Sequence, residues 1–185
     1  MKRLLKVKFQ IKSMSTLLKI IVAIIVVLIV LGILRTWQLE RSANQKVFAG
    51  GTVPNPLPNG LYNGTVPGHT VSWLGKKFFA TGESASGGDA SEGTGINVFT
   101  LLDMKLSNGV TTSEKYPFKT YIGKGAHDGK LDVIKIDYNI AGNPLWLRPI
   151  LDEIVEISPG HYLGKLQLRI IPGYPFTLTY FELQK

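Results

Sequence analysis

Residues 152–183 read DEIVEISPGHYLGKLQLRIIPGYPFTLTYFEL. Ser158-Pro159-Gly160 and Pro172-Gly173 divide this stretch into three short segments. Turns belong there, because proline presets φ and glycine reaches positive φ without a steric penalty. In the middle segment Leu166, Leu168 and Ile170 alternate with Gln167 and Arg169. A period of two places alternate side chains on opposite faces of a strand, whereas a helix repeats near 3.6. Three strands joined by tight turns pair antiparallel.

The pattern continues toward the N-terminus. His127-Asp128-Gly129 precedes KLDVIKIDYNI, where Leu131, Val133 and Lys135 fall on one face and Asp132, Ile134 and Ile136 on the other. Asn108-Gly109, between LLDMKL and VTTSEKY, is the pair that a two-residue hairpin turn demands. Strands are expected near 60–66, 69–74, 76–81, 96–106, 110–115, 117–122, 130–138, 152–157, 161–171 and 175–184. Eight to ten successive short strands predict a mainly β domain over 59–185, a small antiparallel barrel or sandwich. Asn143–Leu151 (NPLWLRPIL) is the expected helical exception, held to a turn or two by Pro149. Residues 81–95, with five glycines and almost nothing apolar, read as a loop. Glu83, Asp89 and Glu92 in it do not have calcium-loop spacing.

Ahead of this domain, residues 20–34 read IIVAIIVVLIVLGIL, without a charge. Extended back to Thr16 the run has nineteen residues and only Lys19 interrupts it. At about 1.5 Å per residue it spans roughly 28 Å, close to the ~30 Å hydrocarbon core of a bilayer. A transmembrane helix over 16–37 is expected, with Trp37 at one interface and Lys19 snorkelling at the other. No small-x-small cleavage site follows closely, the nearest candidate being Val47-Phe48-Ala49, so an uncleaved signal-anchor is the leading reading and a cleaved signal peptide the alternative. Residues 38–58, with Gly51, Pro54, Pro56 and Pro58, are expected to form an extended stalk.

The chain carries 21 Lys+Arg against 13 Asp+Glu, a net +8. Lys2, Arg3, Lys6, Lys8, Lys12 and Lys19 stand before the apolar run with no acid, and residues 35–185 keep only +2. The positive-inside rule then places 1–15 in the cytoplasm and 38–185 beyond the cell membrane, in a single-pass protein. The outer domain lacks the basic surface that nucleic-acid binding requires, so nucleic acid is not an expected partner. The basic leader suits anionic lipid instead.

Zero cysteines exclude disulfides, thiolate zinc ligands and a thiol nucleophile. Nucleophile-elbow, P-loop, dinucleotide and metalloprotease motifs are all absent. His69, His127 and His161 are far apart in sequence and read as rim or surface residues. No catalytic residue, metal ligand or cofactor is assigned. An enzyme using a histidine with a carboxylate such as Asp137 is the weakest of three functional readings.

Two aromatic and glycine-rich clusters remain, Gly60–Phe78 and Asn143–Lys165. Gly60-x-Tyr62-x-Gly64, Gly68-His69 and Trp73-x-Gly75-Lys76-x-Phe78 resemble the G-x-W-x-G, G-H and W-x-G-K-x-F motifs of a group of small lipocalin-like β-barrel proteins of uncharacterised function. Tyr62 stands where that group has tryptophan. Asp137-Tyr138 and Tyr162-Leu163-Gly164-Lys165 are similar to its closing strands more loosely. The resemblance implies a lipocalin-like barrel with an internal binding role. A pocket walled by Tyr62, Trp73, Trp146 and Tyr162, with Arg148 or His161 as a polar anchor, is the expected ligand site. The leading expectation is a membrane-anchored, extracytoplasmic barrel that binds an apolar or amphipathic, lipid-like ligand, with membrane lipid or a hydrophobic small molecule as partner. The alternative is a structural subunit of a membrane complex, partnered by a membrane protein, whose barrel is packed solid.

Overall fold

Eight strands close into an antiparallel barrel in the computed structural model, which describes residues 2–80, 92–100 and 112–185. They are β1 (Gly60–Thr65), β2 (Trp73–Ala80), β3 (Glu92–Thr100), β4 (Thr112–Lys124), β5 (Asp132–Asp137), β6 (Ile150–Ser158), β7 (His161–Ile171) and β8 (Tyr174–Gln184). Each pairs with its neighbour in sequence, and β8 returns to β1. Closure leaves no free edge. The Asn108-Gly109 hairpin and residues 81–91 of the glycine-rich segment lie outside the described residues, and 92–95 of that segment belong to β3.

Two pairs of expected strands are single strands. Residues 76–80 and the end of the 69–74 segment form β2, and 112–115 joins 117–122 within β4. Bulges explain both. Between β2 and β3 the register jumps at Leu74, so Trp73 pairs with Phe99 and Gly75 with Val98. Between β3 and β4 it jumps at Tyr116, whose φ of 60° directly precedes Pro117. A bulge admits a proline into a strand interior, because the residue it displaces leaves the ladder. Asn143–Leu151 forms turns rather than a helix, and β6 begins at Ile150.

The interior divides in two. At one end Tyr62, Phe78, Phe118 and Tyr162 pack edge to face, with ring centroids 5.2–5.6 Å apart from Tyr162 through Tyr62 and Phe78 to Phe118. Val53 and Leu57 pack against the same cluster. Gly164 on β7 admits the Phe181 ring, since a Cβ there would stand 2.2 Å from it. The other end is open.

The first helix, α1, covers Lys2–Leu39, longer than the expected 16–37. Its Ser15–Leu39 part is long and apolar enough to cross a membrane, and none of its most apolar window is buried inside the protein. Residues 38–58 are not an extended stalk. Ser42 caps a second helix, α2 (Ala43–Ala49), by accepting from the Gln45 amide. Phe48 of α2 is fully buried against Val133, Val155, Leu163 and Tyr180 on the outer wall of the barrel. Thr52 then bridges to Glu156. The apolar residues that a stalk reading leaves in solvent instead build a second core.

α1 is joined to the same wall by buried polar contacts. Lys165, fully buried on β7, meets Glu40 at 2.8 Å and Asp128 at 2.6 Å. The Thr177 hydroxyl donates to Glu40, and its amide donates to the Thr36 hydroxyl. Phe176 packs on Gly32, where a Cβ would approach the ring to 2.9 Å. Leu39 accepts a hydrogen bond from the Tyr180 hydroxyl. Residues 32–39 of α1 therefore run alongside β8 in the same direction. Followed back toward its N-terminus, α1 leaves the barrel past the start of β8, which is the open end.

Candidate functional site

The open end contains a cavity of about 380 Å³. Trp73, Phe99, Tyr116, Leu147, Ile150, Leu166 and Phe181 are among its apolar walls, and Trp146 stands on its rim. Local irregularities aim several of these side chains. The bulge at Leu74 turns Trp73 inward together with Lys76, three residues later. The left-handed φ of Tyr116 sets its ring between Phe99 and Trp146, with centroids 5.7 and 5.8 Å away. A third bulge, at Leu178, brings Thr179 to the cavity while Thr177 faces α1. Non-glycine residues at positive φ cost energy and cluster where function over-determines the backbone.

The floor is polar and almost fully buried. Lys76 and Asp152 form an ion pair at 2.9 Å, each side chain only 3% exposed. The Lys76 ammonium also donates to Asn97 Oδ1 at 2.9 Å and to the Tyr138 hydroxyl. Tyr138 in turn reaches Asp152 Oδ2 at 3.1 Å, and the Trp73 indole N–H donates to Asn97 Oδ1 at 3.1 Å. Burial lowers the Lys76 pKa, opposed by the charge of Asp152. Burial and the same carboxylate raise that of Tyr138 well above 10.0.

Two features of this floor decide its chemistry. An ammonium has three N–H donors, and those of Lys76 go to Asn97, Tyr138 and Asp152. Asp152 Oδ1, by contrast, is buried and accepts no hydrogen bond among the described residues. The cation of the floor thus has no spare donor, and one oxygen of its carboxylate is enclosed without a partner.

The expected site residues separate into three places. Trp73 and Trp146 line the cavity. Tyr62 and Tyr162 belong to the aromatic plug at the closed end, so they support the barrel rather than wall the pocket. Arg148 Nε donates to the Asn143 carbonyl, and His161 pairs with the half-exposed Glu182 at 3.0 Å near the closed end. Neither is among the residues that line the cavity, where inward positions on β2 and β6 place Lys76 and Asp152. His127 bonds the Pro175 carbonyl at 2.9 Å. Among the described residues no three His, Asp or Glu side chains converge in a way that could hold a metal ion.

Compared with protein-family models, with curated proteins and with solved structures, the chain matches none.

Proposed function

We propose that this chain is a single-pass membrane protein whose barrel, held on the non-cytoplasmic side, binds one amphipathic molecule in its cavity. The carrying observation is the cavity itself: about 380 Å³ of apolar-walled space with the buried Lys76–Asp152 pair among its lining residues. That volume lies within the range of small-molecule sites, and a few convergent polar groups in an apolar pocket are their usual design. Space at this end favours a ligand over a scaffold packed solid. The similarity of residues 60–78 to lipocalin-like barrels points the same way.

The floor selects the head of the ligand. Lys76 and Asp152 neutralise each other at the floor, so an uncharged hydroxyl or amide head enters beside them with the smallest desolvation cost. A carboxylate or phosphate head meets Asp152 without a free Lys76 donor, so like-charge repulsion and desolvation oppose it. The ligand class is therefore a long-chain alcohol, monoacylglycerol or amide, with its head inward and its chain toward the mouth. Native mass spectrometry of the full chain extracted in mild detergent, with dodecanol and dodecanoate added separately, tests this. The expected result is an adduct with dodecanol that Leu166→Trp abolishes and a much weaker one with dodecanoate. A bare polypeptide mass in both cases overturns the ligand reading.

A further inference from the structure

The mouth of the cavity lies at the end from which α1 leaves the barrel, and its rim is strongly apolar. Leu145, Trp146 and Ile170 are 78%, 65% and 57% exposed, the three most exposed large apolar side chains outside α1 among the described residues. Leu145 and Trp146 sit between β5 and β6, and Ile170 sits at the end of β7, so all three stand at the mouth. Val71, between β1 and β2, is exposed at the same end, so apolar side chains stand around the mouth. Such a cluster marks an interaction surface, because isolated exposed apolar residues are common but grouped ones are not.

The path of α1 identifies what this surface meets. Gly32 touches Phe176 at the start of β8, and Gly32 also belongs to the apolar run 20–34. Measured from Thr16 at about 1.5 Å per residue, ~30 Å of hydrocarbon ends near residue 35. The contact between Gly32 and Phe176 thus falls at the edge of the hydrocarbon, and the rim beside it is level with lipid. The rim also carries the residue types that favour this depth, with Trp146 on it and Arg148 two positions on.

We propose that the mouth of the barrel docks on the membrane surface, with Val71, Leu145, Trp146 and Ile170 in the boundary between headgroups and acyl chains. The cavity then opens directly onto the leaflet. Its polarity follows that of the leaflet, with polar groups farthest from the membrane and apolar walls nearest. A lipid drawn upward enters head first and keeps its orientation. This inference rests on α1 spanning the bilayer, and the test separates the two.

The chain has no cysteine, so single cysteines report one position each. Val26→Cys in α1, Leu145→Cys at the mouth and Ile122→Cys near the closed end are labelled with an environment-sensitive dye. The full-length proteins are reconstituted in phosphatidylcholine vesicles with and without brominated acyl chains. Quenching is expected at 26 and 145 and not at 122. Quenching at 26 with none at 145 overturns the docking and leaves the span intact. No quenching at 26 or 145 overturns both. Equal quenching at 145 and 122 also overturns it, because the barrel then lies on lipid without a preferred face.

Discussion

Removing the Lys76 ammonium while Asp152 stays leaves a carboxylate in the barrel interior without a counter-charge. Breaking a buried pair from one side typically costs about 3–5 kcal/mol, whereas replacing both members by apolar residues is often close to neutral. Lys76→Met is thus expected to lower the unfolding free energy by about that amount, and Lys76→Met with Asp152→Leu to recover most of it. Urea denaturation of the detergent-solubilised chain measures both. The tyrosines give a second test. Tyr138, Tyr162 and Tyr180 are all held above the ordinary value of 10.0, chiefly by burial. Above that pH the unfolded chain loses these protons and the folded chain keeps them, so stability falls as pH rises. Their contribution is complete below pH 10.0 and disappears through the folded values. Lys76, lowered from 10.5 by burial, works in the opposite direction between its folded value and 10.5, but it is one group against four, since burial raises Tyr121 as well. The unfolding midpoint is expected to drop above pH 10.0, less steeply in Tyr162→Phe, and tyrosinate absorbance from these residues to appear only with unfolding. The floor itself was hidden in the sequence for a definite reason. In WLGKKFF, Lys76 and Lys77 alternate with the same residue type on both faces, as do Phe78 and Phe79. Period two cannot say which lysine points inward. Trp73 could be found because an indole is costly to leave in water whichever way the strand turns it, whereas Trp146, on the connection between β5 and β6, lines the mouth while 65% exposed.

At the scale of elements, the strands were legible where pairing is regular and obscured where bulges sit. β5 to β8 show clear alternation, tight turns or both. The splits expected at 75 and 116 fall on the bulges of β2 and β4, because an extra residue resets the alternation. The segment 38–58 was misread because prolines and glycines conceal a short helix whose one strongly apolar contact, Phe48, comes from another part of the chain. Phe48→Ala is expected to destabilise the protein by about 3–5 kcal/mol, the usual cost of emptying a buried phenylalanine site. Its signature is local: tryptic cleavage after Lys46 is expected to be slow in the native chain, where helix α2 holds the bond, and fast in the variant. Unchanged resistance would mean that α2 is held by other contacts. Lys165→Met tests the junction with α1, since it leaves Glu40 and Asp128 facing each other without their cation. A comparable loss is expected, accompanied by cleavage after Arg41.

For the whole molecule, the division of charge at the apolar run and the near-neutral remainder are plain from composition, but the path of the helix along the barrel is not. Nothing in the alternation of β8 says that α1 runs along it, because Thr36, Glu40 and Thr177 are small or polar residues whose meeting is a tertiary event. That meeting makes helix and barrel one unit and sets the height of the cavity mouth. A seven-residue helical insertion between Leu31 and Gly32, apolar in its first four residues to keep the ~30 Å span and polar in its last three, adds two turns, about 10 Å, below the junction. It keeps the face of α1 toward β8 nearly unchanged, because seven residues complete almost whole turns. The barrel is then lifted from the lipid with its cavity intact. Binding of dodecanol added from solution is expected to remain at the level of the parent chain. Transfer of a fluorescent long-chain alcohol out of preloaded vesicles is expected to slow markedly, because the ligand must now cross water. Slowing of transfer without loss of binding assigns the contact with the membrane to loading. If transfer is as fast with the barrel raised, the mouth takes its ligand from solution and its height above the membrane has no bearing on loading.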